Sequence, residues 1–122
     1  MKVIIAGSRD LTDAAEVAQA MERAAARGIV PTMIVSGTAR GVDRLGEAWA
    51  EARGIPVARF PADWDRWGRR LAGRRRNAEM AEYADALVAV WDGASRGTEN
   101  MIRTAHAKGL QVYVWLAKGA AE

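Results

Sequence analysis

"TMIVSGTARGVD", residues 32–43, runs from an apolar, β-branched segment into a turn that holds two glycines, two hydroxyls, an arginine and an aspartate between Ser36 and Asp43. Thr32 to Ser36 reads as a buried strand. Val42, Leu45 and Trp49 then recur at helical spacing until Gly54 stops the helix. A strand-to-helix turn needs one glycine and a cap. This one carries more, so it reads either as a capped turn or as a cradle for an anion.

The same strand-then-helix unit repeats along the chain. "KVIIA" (2–6) is a short apolar strand ending at Gly7. A helix follows with Ala14, Val17, Ala18 and Met21 on one face, opened by an Asp13/Glu16 capping box and closed at Gly28. "IPVARF" (55–60) is the third strand, and its proline favours an early or edge position. Residues 61–73, "PADWDRWGRRLAG", read as a loop, and a helix is expected over 74–83. "DALVAVW" (85–91) is the fourth strand, 98–108 a further helix, and "QVYVWL" (111–116) the last strand, with a frayed tail from Ala117. Apolar strands separated by helices imply an α/β fold with a parallel sheet covered on both faces. Right-handed crossovers then favour a doubly wound, Rossmann-like five-stranded sheet in the order 3-2-1-4-5.

With 122 residues, half of them hydrophobic, the chain suits a single domain spanning 1–122. The absence of cysteine excludes disulfides, thiol catalysis and thiolate metal sites. Met1 leads directly into a strand, with no signal-peptide pattern and no long apolar span, so a cytoplasmic protein without a membrane partner is expected. The formal charge of +3 comes from arginine, with Arg66, Arg69, Arg70, Arg74, Arg75 and Arg76 in one short run. Such a run faces nucleic acid, a phosphorylated small molecule or only water.

In a sheet of this order, ligands sit beyond the carboxyl ends of the strands, in the crevice between strands one and four. The loops there are "GSRD" (7–10), "SGTARGVD" (36–43) and "WDGASRGTEN" (91–100). Each combines glycine, a small hydroxyl residue and arginine. Glycine lets backbone N–H groups approach a ligand, a helix N-terminus offers free donors, and arginine matches phosphate bidentately. Ser8, Ser36, Thr38, Ser95 and Thr98 are donors for phosphate or ribose oxygens, and Asp43 and Asp92 are acceptors. Arg40 and Asp43 are the expected anchors. Neither a Walker A loop nor a dinucleotide fingerprint occurs.

Together with "FPADWDRWG", "RRRNAEMAEYADALVAVWDGASRGTENMI" and "GLQVYVW", these motifs resemble the YspA-type, cpYpsA-related members of the SLOG superfamily, over nearly the whole chain. That superfamily also holds the LOG phosphoribohydrolases and the DprA/Smf proteins. The resemblance implies binding of a nucleotide or an ADP-ribose-like derivative, with no further cofactor. It implies contacts from Gly7, Ser8, Arg9, Ser36, Gly37, Arg40, Gly41, Asp43, Arg76, Asn77, Asp92, Ser95, Gly97 and Thr98. Thr38 stands where the family pattern has a second glycine, and a β-branched residue there disfavours positive φ.

Three functions follow as expectations. The first is a nucleotide-derivative sensor, carrier or sequestering protein. The second is a LOG-like enzyme that cleaves the N-glycosidic bond of a nucleoside 5′-monophosphate. In the LOG G-T-x-x-E segment the catalytic glutamate position is Met101 here, which leaves Asp43, Asp92 and Glu99 as candidate carboxylates. Glu99 is two residues from that position, a rotation of about 200° around a helix, and reads as a surface residue. The third is a DprA-like single-strand binder, with Trp64 and Trp67 stacking on bases, although a lid or dimer contact suits them better. His106 is isolated and reads as structural or solvated, no metal-ligand spacing occurs, and a homodimer or larger assembly is expected.

Overall fold

The computed structural model describes residues 1–117. Five strands alternate with four helices: β1 (Lys2–Gly7), α1 (Ala14–Ala25), β2 (Met33–Ser36), α2 (Val42–Ala52), β3 (Val57–Arg59), α3 (Trp64–Tyr83), β4 (Ala86–Trp91), α4 (Arg96–Ala107) and β5 (Gln111–Leu116). The sheet is parallel throughout, in the order β3-β2-β1-β4-β5. This is the Rossmann-like layout expected from the alternation. Pro56 immediately precedes β3, which lies at the sheet edge, and its carbonyl accepts from Ile34 N–H.

Period-two alternation splits the core between the two sheet faces. Val3, Ile5, Val88 and Val90 pack with α1 and α2, while Ile4, Ala6, Leu87 and Ala89 pack with α3 and α4. Each fully buried Ile or Leu contributes roughly 1.5–3 kcal/mol. The chain therefore winds one way from β1 through β3 and the other way from β4 to β5, and β1 and β4 form the switch. Among the described residues no helix is long and apolar enough to cross a membrane.

Three local expectations change. The expected loop over 61–73 shrinks to 61–63: the helix expected over 74–83 begins at Trp64 and is broken only at Gly68, at φ 75° and ψ 173°. Its first half carries arginines and tryptophans instead of an apolar stripe, because that half faces a cavity and solvent instead of the sheet. The buried stripe of α1 is Val17, Ala20, Met21 and Ala24, with Ala14 exposed. Alanines carry little phase information, and the buried Glu16 carboxylate accepts from the Trp115 indole N–H at 3.0 Å, which fixes the helix rotation. Ala117 is buried and donates its N–H to Trp91 O at 2.8 Å, so the chain is still attached to β4 there. The rest of the expected frayed tail lies outside the described residues.

Thr38 has a positive φ of 64°. Its N–H is held by Ser36 Oγ at 3.1 Å, so the turn imposes a conformation that a β-branched residue resists. Thr38→Gly is expected to raise stability by roughly 0.5–1 kcal/mol, the strain relieved less the extra chain entropy of glycine. Denaturant unfolding at equal m-value checks this.

Candidate functional site

The strand switch places β1 against β4 as far as Gly7, which pairs with Val90. Beyond this point the chains diverge, and the opening is a cavity of about 590 Å³. Glycine makes the junction possible. A Cβ on Gly7 would lie 2.0 Å from Val90 O, and one on Gly41 would lie 2.4 Å from Arg9 O. The start of α2 is thereby pressed against the loop after β1, and Val42 N–H donates to Ser8 O at 3.3 Å.

The three loops expected at this edge do converge. From the first, Gly7, Ser8 and Arg9 line the cavity; from the second, Arg40 and Asp43; from the last, Asp92, Ser95, Gly97 and Thr98. Arg76 and Asn77 reach it from α3. Gly37 and Thr38 line an adjoining cavity instead. Ser36 is turned inward: its Oγ donates to the buried Glu47 carboxylate at 2.6 Å, and Glu47 in turn accepts from Arg59 Nε at 3.0 Å. Ser36 and Gly41 shape the loop without lining either cavity.

Several of the polar residues are also engaged with the protein itself. Ser8 is buried and its Oγ accepts from Asp92 N–H at 3.1 Å, which ties the two loops of the switch together. Asp92 Oδ1 accepts from the N–H groups of Ser95 and Ala94 at 2.7 and 2.8 Å, and these bonds hold its pKa below the usual carboxylate value. Asp92 is therefore a turn-forming carboxylate that stays ionised. Asn77 Nδ2 donates to Asn100 Oδ1 at 2.9 Å and to Gly97 O at 3.3 Å, while Oδ1 accepts from Arg76 Nε at 3.0 Å. It fixes α3 to the start of α4 and aligns Arg76.

Asp43 and Arg76 form the depth of the site. The Arg76 guanidinium donates to Gly37 O. A Cβ on Gly37 would lie 2.7 Å from Arg76 Nη1 and 2.8 Å from Asp43 Oδ2, so only glycine lets both groups come so close to the backbone. Asp43 is 5% exposed, and burial pushes its pKa up to about 6, against the opposing pull of Ala39 N–H and Arg76. Arg76 is itself shifted down, by burial first, with Arg9 adding to the shift and Asp43 opposing it. Arg40 sits at the rim instead, 74% exposed and paired with Asp10 at 3.3 Å.

Gly97 occupies the first turn of α4, where backbone N–H groups lack intrahelical partners. Gly97 lines the cavity, and apart from its chain neighbours and its own helix backbone no atom lies within 4 Å of the place its Cβ would take. Thr98 Oγ1 lies 3.3 Å from Ser95 Oγ beside it. Met101, on the same helix, lines the cavity and is almost fully buried. Glu99 does not line it and pairs with Arg103 at 3.4 Å, as expected of a surface residue. His106 is exposed near the far end of α4.

Arg69, Arg70 and Arg74 also line the cavity, along with Trp64 and Asn100; the sequence singles out the arginine run and Trp64 without placing them at this edge, and it does not single out Asn100. A signal was available: Arg70, Arg74, Asn77 and Met80 fall on one helical face at three- and four-residue steps. With residues 61–73 read as a loop, that face had no phase. Arg66 and Arg75 instead pack on the Trp67 ring, 4.7 and 3.5 Å from its centroid. Seven arginines and three aspartates thus surround one cavity, a lining suited to an anion.

The chain is similar to the Gene 61 protein of Mycobacterium phage D29, with 33% identity over 117 residues covering 91% of this chain and 93% of the relative. The profile of the family described as YAcAr, "YspA, cpYpsA-related SLOG family", matches residues 1–67, which carry the loops after β1 and β2 and the start of α3. The chain belongs to the YspA, cpYpsA-related SLOG family.

Proposed function

We propose that the chain binds a phosphorylated nucleoside derivative, ADP-ribose-like or a nucleoside monophosphate, at the carboxyl edge of its sheet, as a sensor, carrier or sequestering protein. The observation that carries this reading is the convergence of Arg76, Arg9 and the open first turn of α4 on one cavity of about 590 Å³. Guanidinium forks and helix-start N–H groups both favour phosphate oxygens. Family membership points the same way. Asp43, beside Arg76, is the acceptor placed for ribose hydroxyls. A concave cavity of this size suits a small molecule better than a nucleic-acid strand.

Gly97→Ala separates ligand binding from folding. Helix propensity favours alanine by about 0.8–1 kcal/mol, and the space for a Cβ is empty, so the ligand-free protein should melt at a higher temperature. Gly97 lines the cavity, so a methyl there should lower nucleotide affinity, by about tenfold or more. Calorimetric titration with AMP and ADP-ribose, alongside thermal melts, reads both effects. An unchanged affinity would remove Gly97 from the binding surface.

A second reading is favoured by Asp43 alone. A carboxyl with a pKa of about 6 lining the cavity is suited to proton transfer near neutral pH. In the LOG-like reaction the C–N bond breaks with its electrons leaving on the base, a carboxyl protonates the base, and water adds to the anomeric carbon while giving up a proton to the carboxylate left behind. Incubation with nucleoside 5′-monophosphates, followed by assay for free base, tests this. Release that disappears in Asp43→Asn establishes an enzyme, and no release from any of them leaves the binding protein.

A further inference from the structure

The cavity that adjoins the main one measures about 460 Å³ and shares a wall with it: Arg9, Ala39, Arg40, Trp64 and Arg76. Past that wall its lining is Gly37, Thr38, Pro61 and Ala62, and it holds no carboxylate. The two spaces therefore differ in chemistry. The main one presents aspartates, asparagines and hydroxyls along with its arginines, whereas the second sets three guanidinium groups and the Thr38 hydroxyl beside Ala39, Pro61, Ala62 and the Trp64 ring, with no carboxylate.

Trp64 stands between them. Its side chain is among the exposed large hydrophobics, at 44% exposure, and also borders a third hollow with Arg9 and Arg69. The ring belongs to neither core cluster. The start of α3 is set by the Asp63 carboxylate, which accepts from Arg66 N–H at 3.1 Å, and the buried residues of that helix are Ala72, Asn77, Met80 and Ala81. Gly68 breaks the helix just over one turn after Trp64, with a backbone geometry open essentially only to glycine. The placement of the ring is thus set apart from the packed part of α3. The Arg9 guanidinium carbon lies 5.9 Å from its centroid, which joins the aromatic face to the arginine wall.

We propose that this second cavity is a nucleobase subsite, in which the base of the ligand stacks on Trp64 while its phosphate rests on the Arg9, Arg40 and Arg76 wall shared with the main cavity. The inference rests on the nucleotide reading above and deepens it by assigning the base to one side of the wall. Stacking on an indole suits any base, because every base has a π face. Thr38 is the hydroxyl-bearing residue in this lining, available to a base edge.

The test compares wild type, Trp64→Ala and Trp64→Phe by calorimetric titration with ADP-ribose, AMP and inorganic pyrophosphate, the last having no base. Trp64 is exposed, so both variants should fold. The expected result is a loss of about tenfold to a hundredfold in nucleotide affinity for Trp64→Ala, with Trp64→Phe within about threefold of wild type and pyrophosphate binding unchanged in both. Undiminished nucleotide affinity in Trp64→Ala, an equal loss in both variants, or a parallel loss for pyrophosphate would each overturn the subsite while leaving nucleotide binding in place. Failure of wild-type protein to bind either nucleotide would overturn the nucleotide reading and the subsite with it.

Discussion

Asp43→Asn is expected to stabilise the protein at pH 7 by up to about 3 kcal/mol. The Asp43 carboxyl titrates near 6 in the folded protein against 3.8 unperturbed, chiefly because burial disfavours its charged form. Below about pH 4 both folded and unfolded chains hold this proton, and the group costs nothing. As pH rises from about 4 to 6 the unfolded chain releases the proton first, and stability falls by about 1.4 kcal/mol per unit. Above about 6 the loss is complete. Urea unfolding across pH 4–8 should therefore show a decline in wild type that is largely absent from Asp43→Asn, since asparagine retains an oxygen for Ala39 N–H without a charge to desolvate. Asp92 has the opposite sign, its pKa being lowered, so its contribution is lost only at pH values below about 4 and does not overlap this window. A carboxylate that destabilises its own fold at neutral pH fits a residue kept for its part in the cavity. Nucleotide affinity is expected to fall in the same variant that gains stability.

Gly7→Ala should have the opposite effect on the fold, and a larger one. Its Cβ would lie 2.0 Å from Val90 O and within 2.9 Å of the Val42 side chain. The first obstacle is backbone of the central pair β1–β4 and the second is a fully buried residue at the start of α2, so neither can yield without moving the switch itself. A loss of at least about 4 kcal/mol is expected, a large part of the 5–15 kcal/mol that domains of this kind possess. Little folded protein, or a melting temperature lower by about 15 °C, is the predicted outcome. A variant that melts normally would mean that the β1–β4 junction is looser than its register implies.

The contrast between these residues shows which features the sequence carried. The five strands were legible because a parallel sheet covered on both faces needs unbroken apolar runs, and "KVIIA" or "DALVAVW" have few other uses. The edge at which the loops meet followed from the strand order alone. The first half of α3 was not legible, because its inner side faces a polar cavity and so lacks the apolar periodicity by which helices are read. Gly68 and Gly73 there mimic loop composition, although only Gly68 departs from helical geometry. Composition also could not give direction. Ser36 and Thr98 look alike in their turns, yet one is turned into the protein onto Glu47 and the other lines the cavity. The exchange of prominence between Arg40 and Arg76 has the same origin, since burial depends on the path of α3.

The measurement closest to the central claim is the melting temperature of wild type and Gly97→Ala with ADP-ribose, AMP, NAD and cyclic ADP-ribose. A ligand present at a hundred times its Kd adds about 2.7 kcal/mol, several degrees at this chain length. At least one of the four should raise the wild-type melting temperature by that much, and the shift should shrink in Gly97→Ala, which starts from an equal or higher ligand-free value. If none of them moves the wild-type melting point at millimolar concentration, the cavity between β1 and β4 is not a nucleotide site.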